Sequence, residues 1–272
     1  MTAASVRAPV LPELTGLVNR VVGYRLAGLR PGVHVGMPSR FLTLVLPMDA
    51  PLHVGWAGEP PRHFPSVLSG LCTRPAGIHH DGSQHGVQLD LTVAGARRLF
   101  GVPAAELAET CLDLDALIGA AGAELLERVA SARRGRLVLV QRLLADRVAE
   151  AGEAPLGCPE IDWAWRRLVG SGGGVPVARL AAEVGWSGSH LAARFRRELG
   201  MGPKTAARVI RFERSHQMVQ NGTALAEVAA ACGYADQSHL NRDWVHFAGT
   251  SPTRWRLDDE MAFVQDDRLG PG

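Results

Sequence analysis

"CGYADQSHLNRDWVHFAGTSPTRWR", residues 232–256, puts a Gly-aromatic turn, Asp236 at a cap position and the hydrogen-bonding side chains of Gln237, Ser238, His239, Asn241 and Arg242 into the opening turns of one short helix. A helix built only for packing has no use for so many donors and acceptors in a row. A second copy of the pattern lies upstream, in "AAEVGWSGSHLAARFRRELGMGP", residues 181–203. Ala181, Gly185 and Trp186 recur as Ala229, Gly233 and Tyr234 at an offset of 48. Ser189, His190, Leu191, Phe195, Gly200 and Pro203 recur as Ser238, His239, Leu240, Trp244, Gly249 and Pro252 at an offset of 49, so the second turn is one residue longer.

Each copy reads as an Ala-rich helix, a Gly-aromatic turn and a second helix opened by a Ser or Asp cap, which is a helix-turn-helix. Leu191, Phe195 and Leu199 fall at i, i+4 and i+8 and face inward, as do Leu240, Trp244 and Phe247 in the second copy. At about 100° per residue the outward arc carries Ser189, Ala193, Arg196 and Arg197 in the first copy. In the second it carries Ser238, His239, Arg242 and His246, with Asn241 at its edge. The major groove of DNA admits one α-helix and offers donors and acceptors that Arg, Asn, Gln and Ser match, so DNA is the expected target. A polar face that only meets water is the plainer reading of a single copy, but two copies in a basic block speak against it. Residues 175–256 hold 11 Lys/Arg against 6 Asp/Glu, while residues 257–272 hold 1 against 5, an asymmetry hidden in the overall charge of +2.

The rest of the chain changes character as it goes. The segments 41–48, 50–56, 64–72 and 85–93 (FLTLVLPM, APLHVGW, FPSVLSGLC, HGVQLDLTV) read as short strands between turns and predict a sandwich or small barrel over residues 38–92. From Val93 the period becomes helical in VAGARRLFG, PAAELAETCLDLDALIG, AELLERVASARR and RLVLVQRLLADRVAE. AGEAPLGCPE (151–160) reads as a linker, IDWAWRRLV as a short helix and GSGGG (170–174) as a second flexible joint. The acidic tail, residues 258–272, is expected to be disordered. Usage rich in Ala, Gly and Arg is that of a GC-rich bacterial genome. The start lacks a secretory signal and no apolar run approaches the ~20 residues that span a bilayer, so a cytoplasmic protein with no membrane partner is expected.

Residues 175–256 resemble the paired helix-turn-helix domain of the AraC/XylS family of transcription regulators, through LAAEVGWSGSHLAARFRRELG, PKTAARVIRFERS and CGYADQSHLNRDW followed by GTSPTRWR. The resemblance implies an α+β chain: an all-α C-terminal domain, residues 160–257, of two helix-turn-helix units joined by a linker helix at about Lys204–Gln220, and an N-terminal cupin-like β-barrel or sandwich with following helices, residues 1–155, for sensing or dimerisation. The family's base contacts map onto Ser189, Ala192 and Ala193 in the first unit and onto Gln237, Ser238, His239, Asn241 and Arg242 in the second, while Arg196 and Arg197 suit phosphates. The chain departs from the family at Ala193, where members often carry a long donor. The implied partners are double-stranded operator DNA, RNA polymerase, a small-molecule effector and a second copy of the chain; no residue is assigned to an effector.

Chemistry has few candidates. The cluster IHHDGSQH (78–85) invites a cupin-like metalloenzyme reading, the alternative to a regulator, but His79 and His80 on one strand point to opposite faces and no matching Glu follows. No metal, cofactor or catalytic residue is expected. His34, His53 and His63 are candidates to line a pocket, but scattered loop histidines are more often solvated or hydrogen-bonded locally. Ser69 and Ser83 lack a nucleophile frame, and GSGGG lacks the Lys-Ser/Thr of a phosphate loop. Cys72, Cys111, Cys158 and Cys232 have no CxxC spacing and read as reduced, buried fillers, which also argues against a cysteine alkyl-transfer protein.

Overall fold

The computed structural model describes residues 2–152 and 157–258; the expected disorder of the tail beyond Asp258 lies outside them. Nine antiparallel strands come first, β1 Thr2–Ala8, β2 Val18–Ala27, β3 Gly32–Gly36, β4 Leu42–Pro47, β5 Leu52–Trp56, β6 Arg62–Phe64, β7 Val67–Ser69, β8 Ala76–His80 and β9 Gln84–Leu91, and a tenth, β10 Cys111–Leu112, follows among the first helices. They form two sheets, ordered β1-β2-β9-β4-β7-β10 and β3-β8-β5-β6, which face each other as an open sandwich and do not close into a barrel.

The run FLTLVLPM is apolar at every position but Thr43 because the larger sheet is covered on both faces. Leu42, Leu44 and Leu46 turn with Leu89 and Leu91 into the core shared with the helices, while Val45 turns with Tyr24, Leu52, Val54 and Phe64 into the smaller core between the sheets. A strand with one wet face would alternate instead. The sandwich also starts earlier than residue 38. In β2 the alternation holds only from Val22 onward, and a bulge between Val18 and Arg20 shifts the register against β9, which hides the strand from a period-two reading.

The helical layer comprises α1 Val93–Phe100, α2 Ala104–Leu107, α3 Leu114–Ile118, α4 Ala120–Ser131 and α5 Arg136–Glu150. The single helix expected over 103–119 is broken into α2, β10 and α3. Cys111 and Leu112 are captured by β7, and Glu109 adopts φ 57° so that its carboxylate accepts from the Thr73 backbone N–H at 2.7 Å and hydroxyl at 2.6 Å. The Ser66 hydroxyl then accepts from Leu114 N–H at 2.8 Å and opens α3.

The C-terminal half contains α6 Pro159–Gly170, α7 Val177–Glu183, α8 Gly188–Leu199, α9 Pro203–Gln220, α10 Leu225–Ala231, α11 Gln237–Ala248 and α12 Pro252–Asp258. The glycine run after α6 is a hydrogen-bonded turn rather than a flexible joint: Gly173 N–H donates to Leu168 O, and Ser171 Oγ caps Val175 N–H. The two halves touch through named groups. Arg97 of α1 donates to Glu198 of α8 at 2.6 Å, a Cβ on Gly200 would collide with Ala108, and Glu213 of α9 sits 3.7 Å from the Arg40 guanidinium while accepting from its backbone N–H. No helix among the described residues is long and apolar enough to cross a membrane.

Candidate nucleic-acid interface

The two helix-turn-helix units are built alike down to backbone angles. Gly185 and Gly233 both take φ 72° in the turn, and nothing lies within 4 Å of where a Cβ would stand. The left-handed conformation alone therefore demands glycine at both places. Ser187 Oγ accepts from His190 N–H at 3.2 Å and Asp236 Oδ1 from His239 N–H at 2.6 Å, so each second helix, α8 and α11, starts at a side-chain cap. Leu191, Phe195 and Leu199 are buried under α8, and Leu240, Trp244 and Phe247 under α11, as the spacing predicts.

Beneath α11 the core is aromatic and fastened by polar bonds. Trp244 stacks edge-on to Phe212 and Trp255, and its Nε1–H donates to Ser215 Oγ at 2.9 Å. Arg208 of α9 donates twice to Asp243 Oδ1, at 2.9 and 3.2 Å. These contacts fix α11 against α9. The 18 residues of α9 span about 27 Å, and α11 packs along their 208–216 stretch.

The outward faces are exposed as the helical period requires. Ser189, Ala193, Arg196 and Arg197 are exposed on α8, with Ala192 half-buried; Gln237, Ser238, Arg242 and His246 are exposed on α11, with Asn241 half-buried at the edge. Arg242 has no partner among the described residues: Asp243 is taken by Arg208 and Asp236 by the cap. Arg194 turns away toward α6, where Cys158 and then the carboxylates of Glu198 and Glu160 keep its guanidinium pKa above the ordinary value.

His239 is placed otherwise than its polar character suggests. Its ring stands edge-on to Tyr234, 5.1 Å between centroids, and Nδ1 accepts from Ala235 N–H at 3.4 Å. His190 stands in the same way against Trp186 at 4.6 Å, so both histidines brace their turns. The match of His190 with His239 and of Trp186 with Tyr234 was the available signal. The outward arc also includes Val245, 55% exposed, which a search for polar readers passes over.

Several basic side chains of this block are engaged internally. Arg179 pairs with Glu183 at 2.8 Å, Arg208 with Asp243, and Arg256 donates to Val219 O and Thr223 O. Arg196, Arg197, Lys204 and Arg242 are left exposed to meet phosphate or base.

In the sandwich, two neighbouring cavities share the Met37–Phe41 segment, Thr43 and Gln88 in their walls. One, about 110 Å³, lies between the sheets among Val45, Leu52, Val54, Val67 and Ile78. The other, about 270 Å³, opens toward α9 and is lined by Arg20, Arg40, Asp90, Glu213 and His216. Burial raises the Glu213 carboxyl above its usual range, with Arg40 pulling it back. The Cys72 and Cys111 thiols edge the smaller cavity, both raised by burial, Cys72 to about 12; all four cysteines are buried and free.

The histidines expected in loops lie on strands. His63, His53 and His79 stand at one register across β6, β5 and β8, the His53 and His63 rings stacked at 3.8 Å. His34 on β3 is buried, and burial followed by the neighbouring His34 lowers the His80 pKa. Among the described residues no group of three or more His, Cys, Asp or Glu is placed to hold a metal ion.

Residues 180–258 match the model of a helix-turn-helix domain. No curated protein is significantly similar to the chain. Among solved structures, ToxT from Vibrio cholerae O395 superposes with a TM-score of 0.50 at 10% identity, covering 86% of this chain and 95% of that one. Apo ToxT K231A from strain SCE256 gives 0.55 at 8%, covering 87% and 97%, and wild-type ToxT of that strain, bound to an unsaturated fatty acid, gives 0.51 at 11%, covering 88% and 94%. At these identities the likeness is one of fold.

Proposed function

We infer, from a chain whose residues 180–258 are an AraC-type helix-turn-helix domain, that this protein is a sequence-specific DNA-binding transcription regulator that reads the major groove with α8 and α11. The observation that carries the reading is the duplication itself: two helices with exposed faces and the same cap, turn and buried stripe, both packed against α9. A helix that only packs has no need of a copy.

The units divide the work. Gln237, Ser238, Asn241 and Arg242 of α11 read bases, Arg242 with the bidentate reach that distinguishes guanine. Ser189, Ala192 and Ala193 are too short for paired hydrogen bonds, so α8 anchors through Arg196 and Arg197 on phosphates. His239 stays in its turn.

Residues 1–155 form the sensing and dimerising part and residues 160–257 the DNA-binding part. The effector is a small molecule with an apolar body and an acidic head: the body enters the cavity between the sheets, and the head meets Arg40 and Arg20 in the polar chamber against α9. ToxT bound to an unsaturated fatty acid offers the pattern, though cavities of about 110 and 270 Å³ suit a shorter molecule here. The regulator acts without catalysis in the cytoplasm, as a homodimer that recruits RNA polymerase.

Selection of fragments from the source genome by the full chain, followed by footprinting, tests this. The expected footprint is two protected segments about one helical turn apart on one face of the duplex, with affinity falling steeply with salt. Binding that favours no fragment over random DNA, or that ignores salt between about 50 and 200 mM, refutes it.

A further inference from the structure

We propose that Val245 is a specificity-determining residue of the second unit, contacting the 5-methyl group of a thymine in the operator. The proposal rests on α11 being a base-reading helix and extends it to a side chain that cannot hydrogen-bond.

A helix lying along the major groove presents residues at i, i+3, i+4 and i+7 to the bases, as the third helix of a homeodomain does. On α11 that stripe is Ser238, Asn241, Arg242 and Val245, four residues within an arc of about 100°. Three carry hydrogen-bonding groups and the fourth closes the stripe with two methyls. Val245 is 55% exposed and is the exposed large hydrophobic side chain of α10 and α11; the C-terminal half has one other among the described residues, Leu257 near the end of α12, 82% exposed. One exposed valine on a protein surface is ordinary. Its position is what gives it meaning: it lies one turn from Arg242, on the same face, and more than half of its side chain is left uncovered by the described residues. The groove offers one apolar group, the thymine methyl, and it complements a branched aliphatic side chain.

The duplication sharpens the point. At the offset of 49 residues, Val245 corresponds to Arg196 of α8. The first unit runs Ser189, Ala193, Arg196 along its outward face and the second runs Ser238, Arg242, Val245, so the long cation and the small side chain have exchanged places. Where α8 reaches for phosphate at this level, α11 has no charge to offer and meets a base edge instead.

The test uses the full chain and duplexes selected from a random library. The wild type is expected to select a fixed thymine that Val245→Ala no longer requires. On the selected duplex, replacing that thymine by deoxyuridine, which removes the methyl alone, should weaken the wild type about four-fold and leave Val245→Ala unaffected. Val245→Thr, keeping one methyl, should fall between. Alanine favours the helix, so folding is not at issue. Equal deoxyuridine effects in wild type and Val245→Ala at every position overturn the proposal, as does a selected site with no fixed thymine. Unchanged DNA affinity with reduced transcription in a reconstituted assay would assign Val245 to a protein contact and also overturn it. Arg242→Ala, run in parallel, separates the two levels: if it too leaves preference intact, α11 does not read bases and the underlying assignment fails with it.

Discussion

Removing either partner of the Arg208–Asp243 pair should cost very different amounts, because the two groups differ in their access to water. The Asp243 side chain is 4% exposed and accepts both Arg208 bonds on Oδ1, while Oδ2 is buried with no partner among the described residues; the Arg208 side chain is 38% exposed. In Asp243→Asn the guanidinium can rehydrate and the amide oxygen still accepts, so the loss is about 1 kcal/mol. In Arg208→Ala a carboxylate stays buried without its cation, and the loss is about 3 kcal/mol or more. The difference, about 2 kcal/mol, is roughly a thirty-fold change in the folding equilibrium. Arg208→Met with Asp243→Leu replaces the pair by apolar side chains of similar size and should recover most of the loss. Urea unfolding of the full chain followed by tryptophan fluorescence reads this, since Trp244 and Trp255 lie in the same core. Equal costs for the two single variants, or a double variant as unstable as their sum, would refute the reasoning. Operator affinity should fall in the same order, because the pair fastens α11 to α9.

Arg242→Ala should relax preference at one or two operator positions, whereas Arg196→Ala should weaken all sequences alike and reduce the salt slope by about 0.9. Arg194→Ala should change neither, being turned toward α6; loss of specificity equal to that of Arg242→Ala would show that both units read bases. Ser215→Ala leaves the buried Trp244 N–H without its acceptor and should cost about 1 to 3 kcal/mol, while Ser215→Cys, if no less damaging than alanine, would deny that bond a role. Burial raises the Glu213 pKa, so the folded chain holds that proton more tightly than the unfolded one. The resulting stability is fully present below the ordinary carboxylate pKa of about 4.3 and is lost as pH rises through the raised value. Glu213→Gln should therefore raise the melting temperature at pH 7.5, with the gain shrinking as pH falls toward 5; a lowered melting temperature at pH 7.5 would contradict this.

The DNA-binding half was legible because its constraints are local. The cap, the glycine turn and the buried stripe each occupy a few consecutive residues, and their repetition at 48 and 49 separates rule from accident. The structure returns Ser187, Gly185 and Leu191–Phe195–Leu199 with Asp236, Gly233 and Leu240–Trp244–Phe247 where that spacing puts them. Two side chains escaped for opposite reasons. The helical period puts His239 on the outward arc, yet its ring stands edge-on to Tyr234, a contact that shows only when the two rings are placed in space. Val245 is apolar and drew no reading as a base contact, yet its angle on α11 carries it away from Leu240 and Trp244 to the exposed face.

The N-terminal half yielded less because long-range pairing builds it. β2 draws its partners from residues 2–8 and 84–91, and the bulge near Arg20 breaks the alternation that would reveal it. The helix expected over 103–119 has good local propensity and is cut in two because β7 offers Cys111 and Leu112 a ladder. The contacts between the halves are the least legible of all: Arg97 meets Glu198 across 101 residues and Arg40 meets Glu213 across 173. Both fall on α8 and α9. A molecule that shifts the Arg40 segment acts on α9, whose Phe212 and His216 line the same chamber and pack against Trp244 beneath α11. Effector response should accordingly appear as a change in the spacing or orientation that the two half-sites tolerate, and the same tolerance with and without effector would refute this.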